Sequence, residues 1–403
     1  MRTTLLALLV AAATLPVAAQ DLAIDAEVIH TMAGKTIRNG VIIIKDGKIV
    51  RVGPESATPA VAGTRRLTAK VVTPGLIDAH SVVGLAGYLN QPHDQDQLEK
   101  SAAIQPELRA IDSYNAREFL VGWLRSFGVT TIHTGHGPGA LVSGQTMIAK
   151  TRGDTVDAAV LVPSAMIAAT LGEDAFADKG KAPGTRAKEL ALLRQALLDA
   201  QEYRTKASPA AADKKPARDL RKESFVSVLD GKLPLLITVN RAQDIVSALR
   251  LAKEFNIRVV LDGAADAHLV VAEIKAAGVP VIVHPTMARP FGEEENLTLE
   301  NASILKKAGI PVALQSGYEG YVPKTRVVLL EAAMAAANGL SFDDALATIT
   351  IDAAKILGIS DRVGSIEPGK DADLALFDGD PFEYTTHVTG VVIDGKVVSE
   401  EVR

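Results

Sequence analysis

No cysteine occurs anywhere in the chain. Disulfides, thiolate metal sites, thiol nucleophiles and a lipid-modified N-terminal cysteine are excluded with it, and stability must come from a buried core. Positive charge is also short. Lys and Arg number 43 against 48 Asp and Glu, for a formal net charge of −5. A nucleic acid or an anionic membrane surface as partner would favour clustered basic residues, so neither is expected. After the N-terminal segment no run is apolar over the ~20 residues that a membrane span requires. No Gly-rich phosphate loop follows an early strand, which weighs against an open doubly wound sheet. Ser143 and Ser316 lack a nucleophile-elbow motif, which weighs against a serine hydrolase.

What the chain has comes in three parts. Met1-Arg2, the apolar stretch from Leu5 and the small residues Val17-Ala18-Ala19 stand in the order of a secretory signal. Residues 1–19 are therefore expected to be a signal peptide, and the protein to be exported to the periplasm or the extracellular space. Residues 20–73 and 359–403 alternate β-like runs with turns, and each part carries an Asp-Gly hairpin signal, Asp46-Gly47 and Asp394-Gly395. They are read as one small composite β-sandwich domain built from both termini.

Residues 74–358 differ. Short apolar runs alternate with helical patterns at 74–80, 129–134, 235–240, 258–261, 279–284 and 310–315, and two more strands are expected at 144–150 and 157–163. About eight strands with covering helices predict an α/β fold of the TIM type, a (β/α)8 barrel. The polar stretch 171–222 breaks the rhythm and reads as an insertion over one face, shaping a pocket or simply solvated.

Three passages carry a family resemblance. Thr73-Pro74-Gly75-Leu76-Ile77-Asp78-Ala79-His80 resembles the first-strand signature of metal-dependent amidohydrolases. Gly364-Ser365-Ile366-Glu367-Pro368-Gly369-Lys370-Asp371-Ala372-Asp373 resembles the return from barrel to β-domain, and Gly40 to Ile49 the early β-hairpin. The likeness is to the imidazolonepropionase and prolidase-like branch and spans nearly the whole chain after residue 20. It implies metals at the C-terminal mouth of the barrel that activate water and polarise a carbonyl. It also implies a His-X-His pair on strand one, a carboxylated Lys, single His residues on strands five and six, and an Asp on strand eight.

Residue by residue, the ligand set is depleted. His80 is present, but Val82 replaces its partner. Asn240 stands at the end of strand five, Gly263 after strand six, and Ser316 or Gly317 where the carboxylate is expected. Three protein ligands plus water are the minimum for a catalytic zinc, so no tightly held metal is expected. A relocated single divalent metal, such as zinc on His80, His136 and His284, is the alternative. Lys150 occupies a place resembling the carboxylated lysine, and without metals is expected to be a plain ammonium. Gln315, Ser316, Tyr318, Glu319 and Tyr321 follow strand eight, and Arg289, Lys324 and Arg326 stand in nearby loops. With Asn240 and His284 they complete the expected pocket. Asp78 is expected to steer His80. His133 is placed near the mouth, His93 in a loop and His268 in an exposed position.

Two functional classes follow. One is a pseudo-hydrolase that binds a small ligand or an active homologous subunit. The other is a working hydrolase of a carbon–nitrogen bond, in a cyclic amide or dipeptide, with a reorganised metal site. Homo-oligomerisation is implied by the resemblance.

Overall fold

The computed structural model describes residues 22–59, 63–207, 216–284, 290–317 and 328–403. The expected signal segment, the loop residues Arg289, Lys324 and Arg326, and Tyr318, Glu319 and Tyr321 lie outside the described residues.

The chain enters through β1 (Leu22–Ile29), β2 (Ile37–Lys45), β3 (Lys48–Pro54) and β4 (Arg65–Pro74). The β2–β3 turn is Asp46-Gly47, with φ of 50° and 78°. Two left-handed residues match the natural twist of a hairpin, and Asp-Gly tolerates them. The interior strands follow: β5 (Leu76–Ser81), β6 (Val129–Thr134), β7 (Val142–Gln145), β8 (Met147–Lys150), β9 (Val160–Val162), β10 (Ile167–Thr170), β11 (Leu235–Val239), β12 (Val259–Gly263), β13 (Val281–Val283) and β14 (Val312–Leu314). The chain ends in β15 (Leu374–Phe377), β16 (Val388–Ile393) and β17 (Lys396–Ser399).

Strands from both chain ends share a single sheet of order β17-β16-β15-β4-β1-β2-β3. Hydrogen bonding joins them in one sheet where two facing sheets were expected. Apolar residues cover both of its faces: Ile24, Ile42, Ile44 and Leu376 in one cluster, Val71, Ala375, Phe377 and Val391 in the other.

The interior strands form two sheets, β14-β13-β12-β11-β10-β7 and β5-β6-β8-β9. The run β10 to β14 is parallel throughout. Alternation sorts its residues to two faces. Leu236, Val260, Ile282 and Ala313 pack inward with Ile77, Ala79 and Ile148 of the other sheet. Leu235, Ile237, Val259, Leu261, Val281 and Leu314 pack outward with the helical residues Ile245, Ala248 and Leu305. The two sheets thus enclose one apolar interior, stoppered at one end by Ala353, Ala354 and Leu357. Between β14 and β5 the bridge is by side chains, with Ser316 donating to Asp78.

Two strand expectations are corrected. The segment 157–163 falls on a one-turn helix (Val156–Ala159) and the short β9, which pairs with β8 at the sheet edge. The strand that pairs with β11 is β10 instead. Its sequence, Ile-Ala-Ala-Thr, is rich in a helix-favouring residue and hides the strand. Moreover β8 runs antiparallel to β6, with Thr131 opposite Lys150 and Thr134 opposite Met147. Lys150 therefore lies at the end opposite to His80.

Candidate functional site

At the C-terminal ends of the strands, Asp262 is the centre of a buried polar knot. It is 2% exposed, on β12 between Leu261 and Gly263. His80 Nδ1 lies 3.0 Å from its Oδ2, Thr238 Oγ1 donates to Oδ2 at 2.7 Å, and Gln315 Nε2 donates to Oδ1 at 2.6 Å. A carboxylate can only accept here, so His80 carries its proton on Nδ1. Burial alone would raise the Asp262 pKa, but the charge and hydrogen bond of His80 overcome it and hold the carboxyl below its ordinary value. Burial likewise works against a charged His80, and the Asp262 charge outweighs it, raising the imidazole. The result is a buried charge-assisted pair. His80 Nε2 is left buried and without a partner among the described residues.

Asp78 is a second buried carboxyl. Its Oδ1 accepts from Ser316 N at 3.0 Å and from His80 N at 3.4 Å, and its Oδ2 accepts from Ser316 Oγ at 2.5 Å. Burial nevertheless pushes it up to about 6. Ser316 is thus committed to holding β14 against β5, and Asp78 holds the His80 backbone in place.

A cavity of about 100 Å3 opens above the knot. Its lining includes His80, Val82, Asn240, Asp262, His284 and Gln315. Asn240 Oδ1 accepts from Ala265 N at 3.4 Å. His284 stands directly over Gly317, whose φ is +79°. A Cβ at that glycine would meet His284 Nε2 at 2.1 Å, so any other residue there would displace the ring besides straining the backbone. Asp174 and Glu294 close the rim, so the first turn of the 171–222 stretch does reach the cavity.

The expected residues divide clearly. His80, Asn240, His284 and Gln315 meet at one cavity, with Ser316 buried beside it. Lys150 does not line it. Its ammonium bonds Asp371 at 2.7 Å and Asp373 at 3.2 Å, and Asp394 as well, on the side of the terminal sheet. Those carboxylates keep it protonated against burial. His136 is buried, pushed down to about 4 by burial, and neither ring nitrogen has a partner among the described residues. His133 donates from Nδ1 to the Ala79 carbonyl at 2.7 Å and takes Thr146 Oγ1 on Nε2 at 2.6 Å. Burial pushes it down to about 3, so it is a neutral hydrogen-bonded core residue. His93 sits in an exposed turn. His268 is half-buried rather than exposed, with Nδ1 3.1 Å from the Ala265 carbonyl. Asp262 and Thr238 were the residues missed. The signal was a carboxylate two positions after Val260 in a strand, on the same inward face.

Among the described residues no group of three or more His, Asp and Glu side chains is placed to hold a metal ion. No described helix is long and apolar enough to cross a membrane.

Residues 298–398 match the amidohydrolase family. An amidohydrolase from Thermotoga maritima superposes with a TM-score of 0.89 at 27% identity, covering 94% of this chain and 100% of that one. The chain carries an amidohydrolase-family segment and resembles amidohydrolases along its length. Its curated relatives include the imidazolonepropionases of Maricaulis maris and Stenotrophomonas maltophilia. The first is 25% identical, covering 91% of this chain and 94% of its own length. The second is 26% identical, covering 85% and 87%. In folds of this kind active sites lie at the strand C-termini, so the region above β12 is the candidate site.

Proposed function

We propose that this amidohydrolase-like protein binds a small polar ligand at the mouth of a TIM-type barrel without a resident metal, as a pseudo-hydrolase. One observation carries the reading. The Asp262 carboxylate is ringed by His80, Thr238 and Gln315. A negative charge gathers the donors at the place where the family would gather ligands around a positive one. The second buried carboxyl, Asp78, is held by Ser316 and the His80 backbone. Neither carboxylate is free to join His80 in the three-ligand set that a catalytic divalent ion needs. The residues present do not fit the family's metal, and no step is routed through one. What they offer is a floor of His80 Nε2, the Asn240 amide and His284, under an acidic rim of Asp174 and Glu294.

Metal analysis tests this directly. Purified protein, dialysed and then offered zinc, manganese or nickel, is expected to hold far less than one ion per chain, since a catalytic zinc needs three protein ligands. Its melting temperature should not rise with added metal, because an ion that does not bind the folded state cannot stabilise it. Stoichiometric metal that is lost in His80→Ala would overturn the proposal.

A second reading has its own support. The whole-length likeness to imidazolonepropionases favours a working hydrolase of a cyclic amide carbon–nitrogen bond, built on a reorganised site. Turnover of lactams, hydantoins or dipeptides by metal-loaded protein would decide for it. The order of charge, apolar run and small residues in 1–19 supports export of this chain. N-terminal sequencing of the protein from a periplasmic fraction, beginning near Gln20, is the matching test.

A further inference from the structure

One side of the mouth is tied together by carboxylates. The turn Glu173–Ala175 places Asp174 on the rim of the cavity, and the turn Gly292–Glu294, after β13, places Glu294 there too. Glu293 Oε1 accepts from Glu173 N at 3.0 Å, which ties the two turns to each other. Glu189 stands on the helix Arg186–Ala207, and its Oε2 accepts from Gly172 N at 3.2 Å. That bond ties the first turn to the rest of the 171–222 stretch. Arg186 of the same helix completes the group. Its Nε–H reaches both oxygens of Asp244, at 3.0 and 2.8 Å, on the helix Ala242–Phe255, and an Nη2–H goes to Glu293.

Three carboxylates, Glu189, Asp244 and Glu293, thus gather around one guanidinium. The turn itself adds Glu173 and Asp174, the latter balanced by Lys100. Arg186 is committed to Asp244 and Glu293. Glu189 is fully buried, and its Oε1 has no hydrogen-bond partner among the described residues. An ionised carboxylate in that position is short of donors and lies near two like charges. A protonated one carries its hydrogen on an oxygen and adds no charge. Burial, with the charges of Asp244 and Glu293 behind it, pushes this carboxyl from its ordinary 4.5 up to about 7, against the Gly172 amide and Arg186. Both turns lie outside the interior strands, so they can part while the core stays folded.

We propose that the turn Glu173–Ala175 is a proton-operated latch: while Glu189 holds a proton the turn stays closed at the rim of the cavity above Asp262, and ionisation of Glu189 releases it. This rests on the reading of the mouth as a binding site, and adds a control on access to it. The direction follows from the raised carboxyl. Its contribution to the closed turn is complete below about 4.5 and is lost as pH rises through about 7. Opening of the turn puts Glu189 in water without unfolding the core, so its proton acts on the latch rather than on global stability.

The test is hydrogen exchange of the Gly172 and Glu173 amides in the full chain, read by mass spectrometry of overlapping peptides and corrected for the intrinsic rate at each pH. Their protection is expected to fall at least ~tenfold between about pH 5 and 7 and to level off above. Glu189→Gln imitates the protonated acid and should hold that protection flat. The amides of β11 and β12 are the reference, since they exchange through global opening, and their pH dependence should be the same in both chains. A second readout reports the cavity itself. At about pH 7.5, diethyl pyrocarbonate should modify His80 at least ~fivefold faster in the unsubstituted chain than in Glu189→Gln, because only the former has its latch released. Flat protection in the unsubstituted chain overturns the proposal, and that measurement needs no variant to fold. A pH dependence that survives in Glu189→Gln overturns it too, as does equal modification of His80. The latch and the binding reading fail separately. A working latch with stoichiometric metal on His80 leaves the latch standing and sinks the metal-free mouth; a missing latch without metal does the reverse.

Discussion

Two buried charges sit on different interior sheets, at opposite ends of the strands, and they are mirror images. Asp262 is an anion ringed by donors from β5, β11 and the end of β14. Lys150 is a cation ringed by Asp371, Asp373 and Asp394 from the terminal sheet. Each is within 2% of complete burial. Each solves the same problem, since an ion taken out of water must be paired and hydrogen-bonded. What separates them is what is left over. Around Asp262 one imidazole nitrogen, His80 Nε2, remains unpartnered next to a cavity. The Lys150 ammonium spends its donors on three carboxylates and does not line that cavity, and Asp373 Oδ2 beside it has the ion pair to Lys150 but no hydrogen bond among the described residues. A buried ammonium filled by carboxylates marks a clasp between two parts of the fold; a residual polar atom facing space marks a site.

The largest effect is expected where that clasp is broken. Lys150→Met keeps the length of the side chain and removes the charge. Three carboxylates then face one another with only the flanking Lys48, Arg152 and Arg362 to balance them. Breaking a buried pair from one side typically costs ~3–5 kcal/mol. Urea denaturation should show a loss of that order, with ligand binding at the mouth retained by whatever stays folded. A loss under ~1 kcal/mol would mean that the cluster is more hydrated than its burial indicates.

Next comes the mirror experiment at the mouth. Asp262→Leu strands His80 Nδ1–H, the Thr238 hydroxyl and the Gln315 amide. Unsatisfied buried donors cost ~1–3 kcal/mol, and the side chains are free to turn elsewhere. Stability should fall less than in Lys150→Met, while affinity for mouth ligands should fall further than in any clasp variant. The comparison fails if both variants lose stability and binding in equal measure.

The two centres were not equally visible in the sequence, and the reason is physical. The hairpins at Asp46-Gly47 and Asp394-Gly395 announce themselves, because few residues accept two successive left-handed conformations. The parallel runs β11 to β14 were legible as short apolar β-branched segments. Strand β10 was hidden by its two alanines, and 157–163 was read in its place. Lys150 ends a strand as read, but β8 runs backwards, which puts it at the opposite end from the mouth. The mouth residues His80, Asn240, His284 and Gln315 could be placed because each follows a recognisable strand. Asp262 was overlooked because the resemblance directs attention to Gly263. Alternation alone would have put Asp262 inward beside Val260. Pairing across the interior, such as Ser316 with Asp78, depends on how the strands come round, which no local pattern encodes.

A subtler test uses pH. Asp78 at the mouth and Asp373 in the clasp both have an ordinary value of 3.8 raised to about 6 by burial. A carboxyl that holds its proton more tightly when folded stabilises the fold fully below the ordinary value, and that contribution is lost as pH rises through about 6. Asp371 runs the other way. It is lowered to about 2, so its contribution is present above 3.8 and is lost as pH falls through about 2. The urea midpoint should therefore drop between about pH 4 and 7. Asp78→Asn, measured across that interval, should flatten part of the drop, and Asp373→Asn the remainder. An unchanged slope in Asp78→Asn would show that its carboxyl is already ionised at pH 4.

The smallest effect is expected at the solvent edge of the clasp. Lys48 bonds the same carboxylate as Lys150, Asp371 Oδ1 at 2.5 Å, yet its side chain is 48% exposed. Geometry alone would rank the two lysines together. Solvation separates them: an exposed ammonium regains in water most of what it loses with its partner, and exposed pairs contribute ~0–1 kcal/mol. Lys48→Ala should therefore shift the denaturation midpoint only slightly, and less still in 0.5 M salt, where the Debye length falls to roughly 4 Å. If Lys48→Ala costs as much as Lys150→Met, the strength of the clasp lies in the number of charges around Asp371. Burial of the central lysine would then no longer be what distinguishes the clasp from the mouth.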